Sequence, residues 1–271
     1  MNRSKILAAA LLCAVGVMLS ATSAPAAEKV TLRLDWVNSG YHAIWYYGID
    51  KGIFRDAGLD LEVLEGNGSA VTAQTVGNGS VMFGTADTAA VIGLVSQGLP
   101  VKIVGGYLRQ SPLSEIFPAD KGWKSFKDMA GAKIGWSPGG ASAQILPEIL
   151  KSAGVADKVE MVNMAPAAKM TALLTHTVDA IDSFDFLMVP ILEGKGLKVA
   201  TVTYASAGVN VPGLSLIAGD ALIDKDPAVV GKMVAAMQTA ISAARQDPEA
   251  ATASLIQRAP SIDKAAARRI L

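Results

Sequence analysis

The residues of this chain that could do chemistry gather in four loops. Trp36 and His42 stand in the first, with Trp45 and Tyr46 three and four positions beyond His42. A tryptophan offers a flat face for a ring to stack on, an arrangement worth about 0.5–1.5 kcal/mol beyond the area it buries. His42 falls in the first turn of a helical stretch, so Trp45 and Tyr46 share its face. A histidine there is either a hydrogen-bonding partner of a ligand or a satisfied core residue. Trp45 reads as core, and Tyr46 stands between core and site.

Gly66-Asn67-Gly68-Ser69 precedes a second helical stretch. Its glycines permit close backbone approach, and a helix N-terminus presents free amides to an oxyanion or a polar ring edge. Asn67, Gly68 and Ser69 are therefore candidates, although Ser69 equally suits the N-cap. In Gly84-Thr85-Ala86-Asp87-Thr88, Asp87 either accepts from a ligand amine or caps the next helix, and the cap is the preferred reading. Ser137-Pro138-Gly139-Gly140-Ala141-Ser142 repeats the strand-to-helix pattern. Through Ser137, Gly139, Gly140 and Ser142 it would supply the opposite half of an amide clamp.

Other chemistries find less support. Asp179, Asp182 and Asp185 are spaced by three, but no second cluster of oxygen or nitrogen ligands accompanies them, so no metal is expected. Gly66-x-Gly68 is followed by Val71 where a dinucleotide fingerprint needs a third glycine or alanine. The sequence holds neither a GK[ST] phosphate loop nor a GxSxG elbow. These absences point to a binder with no catalytic residues and no cofactor.

The N-terminus speaks to compartment. Arg3 and Lys5 precede an apolar run over residues 6–19, and Ala24-Pro25-Ala26 fits a small-x-small cleavage site. A signal peptide spanning residues 1–26, cut after Ala26, would place the protein in the periplasm. The run is shorter than the roughly 20 residues that span a bilayer. Removing 26 residues from 271 leaves 245 and removes Cys13, the sole cysteine. It also removes two of the 24 basic side chains against 24 acidic ones, for a formal charge near −2. No basic face or long charge run is evident, which argues against nucleic acid. A monomer is expected.

The elements that must position these loops alternate. Residues 31–34 and 59–63 read as strands around a helix over 41–51 that stops at Gly52. Helices over 69–76 and 87–97 and a strand over 101–107 follow. Residues 113–118 are extended, and the polar stretch 119–127 reads as a crossing into a second lobe. Beyond it come strands over 132–136, 158–162, 178–181 and 197–202, with helices over 142–153, 166–174 and after Phe184. A strand over 214–218 precedes an alanine-rich helical region from Pro227, punctuated at Asp247-Pro248. Strands alternating with helices imply parallel sheets. The fold class expected is α/β with two lobes, each a mostly parallel sheet flanked by helices and with a ligand cleft at the hinge. Lobe 1 would comprise residues 27–111 plus 205–271, and lobe 2 residues 112–204.

Leu34-Asp35-Trp36 with His42, Lys51-Gly52-Ile53-Phe54, residues 58–70, Val76-Gly77-Asn78-Gly79, Phe83-Gly84-Thr85-Ala86-Asp87 and residues 98–104 together resemble the NMT1/THI5-like family. The likeness continues at lower density through residues 128–135 and 173–180. It implies a periplasmic-binding-protein fold of type II and an extracytoplasmic solute-binding role in an ABC importer. The partners implied are a small-molecule ligand and an inner-membrane permease. It also implies that Trp36 and His42 face the ligand and that the strand end at Asp182, Ser183 and Phe184 faces the cleft. The family's pyrimidine-synthase branch uses pyridoxal phosphate, iron and a cysteine-rich motif. Without a cysteine after residue 26, that branch is the weaker reading. Trp36, His42 and Tyr46 suit a thiamine-precursor-like pyrimidine. Sulfonate, nitrate or another organic anion is the alternative within the family.

Overall fold

The computed structural model of the protein describes residues 27–271. The expected signal peptide and Cys13 lie outside them. Strands β1 (Glu28–Arg33), β2 (Leu59–Leu64), β3 (Phe83–Asp87) and β4 (Val101–Gly106) join β10 (Leu214–Gly219) in one sheet, ordered β2-β1-β3-β10-β4. Strands β5 (Leu113–Pro118), β6 (Lys133–Trp136), β7 (Glu160–Asn163), β8 (Ala180–Phe184) and β9 (Val199–Thr203) form the other, ordered β7-β6-β8-β5-β9. One strand in each sheet is reversed: β10 runs antiparallel to β3 and β4, and β5 to β8 and β9. Each reversed strand is the first its sheet receives after the chain crosses from the other sheet. A chain arriving at the cleft must run away from it, against strands that end there. The fold is thus the expected two-lobed α/β one, with mixed five-stranded sheets.

Alternation along β1 buries Val30 and Leu32 while Thr31 and Arg33 stay half-buried. They meet Trp45, Phe54, Phe83 and Leu216 in one core. Each such side chain contributes about 1.5–3 kcal/mol on burial. The helix Pro227–Gln246 closes this core by turning Met233, Met237, Ala240 and Ala244 inward. A Cβ at Gly48 would stand 2.9 Å from the Ala240 methyl, so small residues set that approach. The second core gathers Leu113, Phe117, Met129, Ile134, Leu146 and Tyr204.

The crossings run through residues 107–112 and 204–213, joined by Ser111 N to Val211 O (3.0 Å) and Gly213 N to Leu108 O (3.0 Å). The polar stretch 119–127 is therefore not a crossing. Leu113–Pro118 already pairs with β8 and β9, so the chain has changed lobes before it reaches Ala119. The helix expected from residue 142 begins later, as Leu146–Ser152, because residues 138–145 are spent on turns around the site.

The two lobes touch across the cleft. A Cβ on Gly68 would come 2.1 Å from the Gly139 carbonyl oxygen, and one on Gly139 would come 2.7 Å from Val71 Cγ2. Gln97 Nε2 donates to Gln144 Oε1 at 2.7 Å beside them. Tyr41, from the first lobe, packs edge-on against Phe186 of the second with ring centroids 5.6 Å apart.

Candidate functional site

Open α/β sheets collect ligands at the C-terminal ends of their strands, and here those ends face each other. Asp35, Trp36, Tyr41 and Ser69 of the first lobe oppose Gly140, Ala141, Pro166, Lys169, Asp182, Ser183, Phe184, Leu187 and Met188 of the second, with Leu113 between them.

The first-lobe floor is an extension of the β1–β2 ladder. Leu34 N donates to Leu64 O (2.8 Å), Gly66 N to Trp36 O (3.0 Å) and Gly68 N to Asp35 O (2.8 Å). A Cβ at Gly66 would lie 1.8 Å from Leu34 O, so only glycine lets the two loops join into one platform. Asp35, 2% exposed, is held on this platform. Its Oδ1 accepts from Thr85 Oγ1 at 2.7 Å, and its Oδ2 from the Tyr41 hydroxyl at 2.9 Å. His42 Nδ1 accepts from Ser39 N at 3.1 Å, which leaves the ring proton on Nε2, 3.2 Å from Asp35 Oδ1. Burial, and then the Asp35 charge, push the Tyr41 hydroxyl well above the ordinary tyrosine range, so it remains a donor. A carboxylate offers about four acceptor sites. Three are engaged, which leaves Asp35 able to accept from a ligand N–H.

The second-lobe wall centres on an ion pair. Lys169 Nζ lies 2.5 Å from Asp182 Oδ1, each side chain 4% exposed, and also donates to the Asp182 carbonyl at 3.3 Å. Ser142 Oγ donates to Asp182 Oδ2 at 2.5 Å. Directly opposite Asp182 in the β5–β8 pairing is Glu115, fully buried. Tyr204 donates its hydroxyl to Glu115 Oε1 at 2.8 Å. Burial first, and then the Asp182 charge, push the Glu115 carboxyl well above the carboxylate range.

Trp36, Ser69, Gly140, Asp182 and Phe184 of the sequence candidates stand at the cleft. His42 does not face it: fully buried, it lies behind Asp35 and orients that carboxylate. Tyr46 points elsewhere, donating to Asn38 Oδ1 at 2.6 Å with the Arg258 guanidinium 5.2 Å from its ring. Trp45 is core, stacked on Phe54. Asn67 is exposed on the outer side of its loop, while Gly68 forms the lobe contact described above. Ser69 is not the N-cap, since Gly68 takes that place and Ser69 Oγ accepts from Asp87 N at 3.0 Å.

Asp87 caps its helix through Ala89 N at 3.0 Å and accepts from Ser111 Oγ of the first crossing at 3.0 Å, away from the cleft lining. Ser137 turns from the cleft to donate to Met164 O at 2.8 Å. Gly139 meets Val71, and Ser142 supports Asp182 from behind. Asp179 pairs with Lys121 at 2.6 Å near the surface. Among the described residues no group of three or more His, Cys, Asp or Glu could hold a metal.

Sequence reasoning missed Asp35, Tyr41 and Lys169 as cleft residues. Lys169 follows the end of β7, so the strand-end rule that found the other loops would have found it. The segment before it, Met164-Ala165-Pro166-Ala167-Ala168, carries no glycine to draw notice.

A family model described as NMT1/THI5 like matches residues 39–251. A Haemophilus influenzae protein named for thiamine biosynthesis is 31% identical over 169 residues, covering 62% of this chain and 53% of that protein. A Legionella pneumophila protein named 4-amino-5-hydroxymethyl-2-methylpyrimidine phosphate synthase is 27% identical over 128 residues, 47% of this chain and 40% of that one. A formylaminopyrimidine-binding protein of Halalkalibacterium halodurans is 28% identical over 136 residues, 50% and 41% of the two chains. The chain thus spans about half or less of the curated relatives' lengths. Among solved structures, the alkanesulfonate-binding protein SsuA of Xanthomonas axonopodis pv. citri superposes with a TM-score of 0.69 at 15% identity, covering 91% of this chain and 83% of that one. The match across the lobes and most of the cleft-lining residues shows that the chain belongs to the NMT1/THI5-like family.

Proposed function

We propose that the protein is the extracytoplasmic solute-binding component of an ABC importer, closing its lobes over a small amino-substituted heteroaromatic ring of the pyrimidine kind and delivering it to a permease. The observation that carries this reading is the charge of the cleft. Asp35 and Asp182 line it against Lys169 alone, so their formal charges leave a net of −1. A sulfonate or nitrate entering between these walls would meet repulsion, whereas a ring bearing N–H donors would meet the free acceptor site of Asp35. Trp36, Phe184, Pro166 and Met188 supply apolar faces for the ring. The sequence pattern over residues 1–26 supports secretion, and the binding-protein fold supports capture by lobe closure.

Size bears on the reading. The closed cleft leaves about 40 Å³ to the centres of water-sized occupants. At roughly 10–15 Å³ each that is about three waters. A substituted ring therefore enters only from a more open arrangement of the lobes. A thermal-shift screen of the purified protein against 4-amino-5-hydroxymethyl-2-methylpyrimidine, methanesulfonate and nitrate tests the proposal. Stabilisation by the aminopyrimidine, reduced in Trp36→Ala and Asp35→Asn, is expected. Stabilisation by the anions alone would overturn the pyrimidine preference, and turnover of a pyrimidine without a permease would favour the synthase reading of the Legionella relative.

A further inference from the structure

Glu115 is a charged residue type placed where nothing in the proposed capture uses it. It sits mid-strand in β5, fully buried, with Val202 of β9 on one side and Asp182 of β8 on the other. Only Oε1 is satisfied, by the Tyr204 hydroxyl; Oε2 is buried without a partner among the described residues. A buried polar atom left unpaired costs about 1–3 kcal/mol, so its persistence calls for a reason. A glutamine or leucine would fill the same volume in this strand without bringing a second acid beside Asp182.

The charged and titratable groups that face Glu115 are few. From β8 comes Asp182, from the helix Lys169–Leu174 comes Lys169, and from the turn after β9 comes Tyr204. Asp182 and Lys169 both line the cleft, so Glu115 stands one residue behind the ligand-facing wall. Its state alters what that wall presents. With Glu115 neutral, Lys169 and Asp182 balance each other. With Glu115 ionised, the same three groups carry a net −1.

We propose that Glu115 is a positioning residue that sets the charge preference of the cleft, its single proton deciding whether the Lys169–Asp182 wall is neutral or negative toward the ligand. The inference deepens the capture reading above and rests on the cleft being the ligand site. The proton balance is simple. A ligand that brings N–H donors or positive charge to this wall favours ionised Glu115, whose O–H bond breaks and whose proton passes to solvent. An anionic ligand favours the protonated acid and draws a proton in. Capture is therefore proton-linked, with opposite sign for the two ligand classes.

Calorimetry tests this with wild type and Glu115→Gln, a neutral near-isostere that keeps an acceptor for Tyr204. Titrations with 4-amino-5-hydroxymethyl-2-methylpyrimidine and with methanesulfonate would be run between pH 5 and 9 in two buffers of different ionisation enthalpy. Comparing the two proteins at one pH cancels the ligand's own titration, and Asp87→Asn serves as a control for a second buried acid, which burial lifts to about 7. For the aminopyrimidine, wild type should release up to about one proton more than the variant, with affinity rising by at most about tenfold per pH unit. For methanesulfonate the difference should be uptake.

Equal proton numbers in wild type and Glu115→Gln would overturn the inference. Binding of methanesulfonate alone, with an uptake that Glu115→Gln abolishes, would uphold it while overturning the pyrimidine reading. The unliganded proteins give an independent readout. Wild type should lose thermal stability relative to Glu115→Gln as pH rises from 4 to 9, and parallel curves would overturn the proposal whatever the ligand.

Discussion

Closure of this cleft depends on two glycines that face each other across it, and Gly139 is the cleaner one to perturb. Gly68 has φ +143°, which strains any other residue whatever surrounds it. Gly139 has no such constraint, yet a Cβ there would stand 2.7 Å from Val71 Cγ2 on the opposite lobe. Val71 lies in the helix Ser69–Gly77, where a valine keeps one χ1 rotamer about 90% of the time, so its methyl does not swing aside cheaply. Overpacking of one methyl costs about 1–3 kcal/mol. Only the closed state bears it, because parting the lobes relieves the contact.

Gly139→Ala should therefore weaken ligand binding by about 5- to 150-fold, at tenfold per 1.4 kcal/mol. Its unliganded melting temperature should hold or rise slightly, since an alanine restricts the unfolded chain. Val71→Ala should restore affinity in the double variant, giving a coupling energy of the size of the clash. Calorimetric titration with the aminopyrimidine, and the radius of gyration of liganded protein by X-ray scattering, read both effects. If Gly139→Ala bound normally, or if Val71→Ala failed to rescue it, the closed contact would not be the bound arrangement.

Burial lifts Asp87 to about 7 against the donors that pull it down, Ser111 Oγ foremost. A carboxyl raised on folding contributes stability that is complete below about pH 4 and is lost as pH rises through 7. At about 1.4 kcal/mol per pH unit that is roughly 4 kcal/mol at most. Asp87→Asn, which keeps a capping side chain, should flatten the melting-temperature profile between pH 4 and 8; an unchanged slope would assign the dependence to another group. Lys169→Met leaves the buried Asp182 without its cation and should destabilise by about 3–5 kcal/mol in urea unfolding, and adding Asp182→Asn should recover most of the loss. Trp36→Ala, at a half-buried position on the cleft, should cost ligand affinity about 3- to 10-fold with little change in melting temperature; a large drop in stability would make Trp36 structural.

The lobes were legible because alternating strands and helices leave few topologies once parallel pairing is inferred. The place of crossing was harder to read. Residues 113–118 are as apolar as an ordinary sheet strand, and the polar run that follows them looks like a linker. Which sheet they belong to is fixed by pairing with β8 and β9, more than 60 residues further along the chain. The two reversed strands are invisible for the same reason, since side-chain alternation carries no direction.

In the site, the glycine loops were found through their backbone chemistry, and most of the side chains assigned to them face elsewhere. His42 and Asp87 have the residue types of ligand contacts, but the loops needed them first. Asp87 joins Ser69 to Ser111, linking a cleft loop to a crossing, and His42 fixes the Asp35 carboxylate. Local spacing could place both near the cleft, but not say which way they turn. For Asp87 that is decided by Ser69 and Ser111, 18 and 24 residues away, and for His42 through Asp35, a near neighbour itself fixed by Thr85 50 residues away. Lys169 shows the converse. Nothing around it in the sequence marks a buried cation, and it becomes one only because β8 brings Asp182 to within 2.5 Å of it. A burial so costly for an ammonium holds only while its partner stays in reach. The Lys169–Asp182 wall of the cleft is therefore a property of the sheet's strand order and of no single loop.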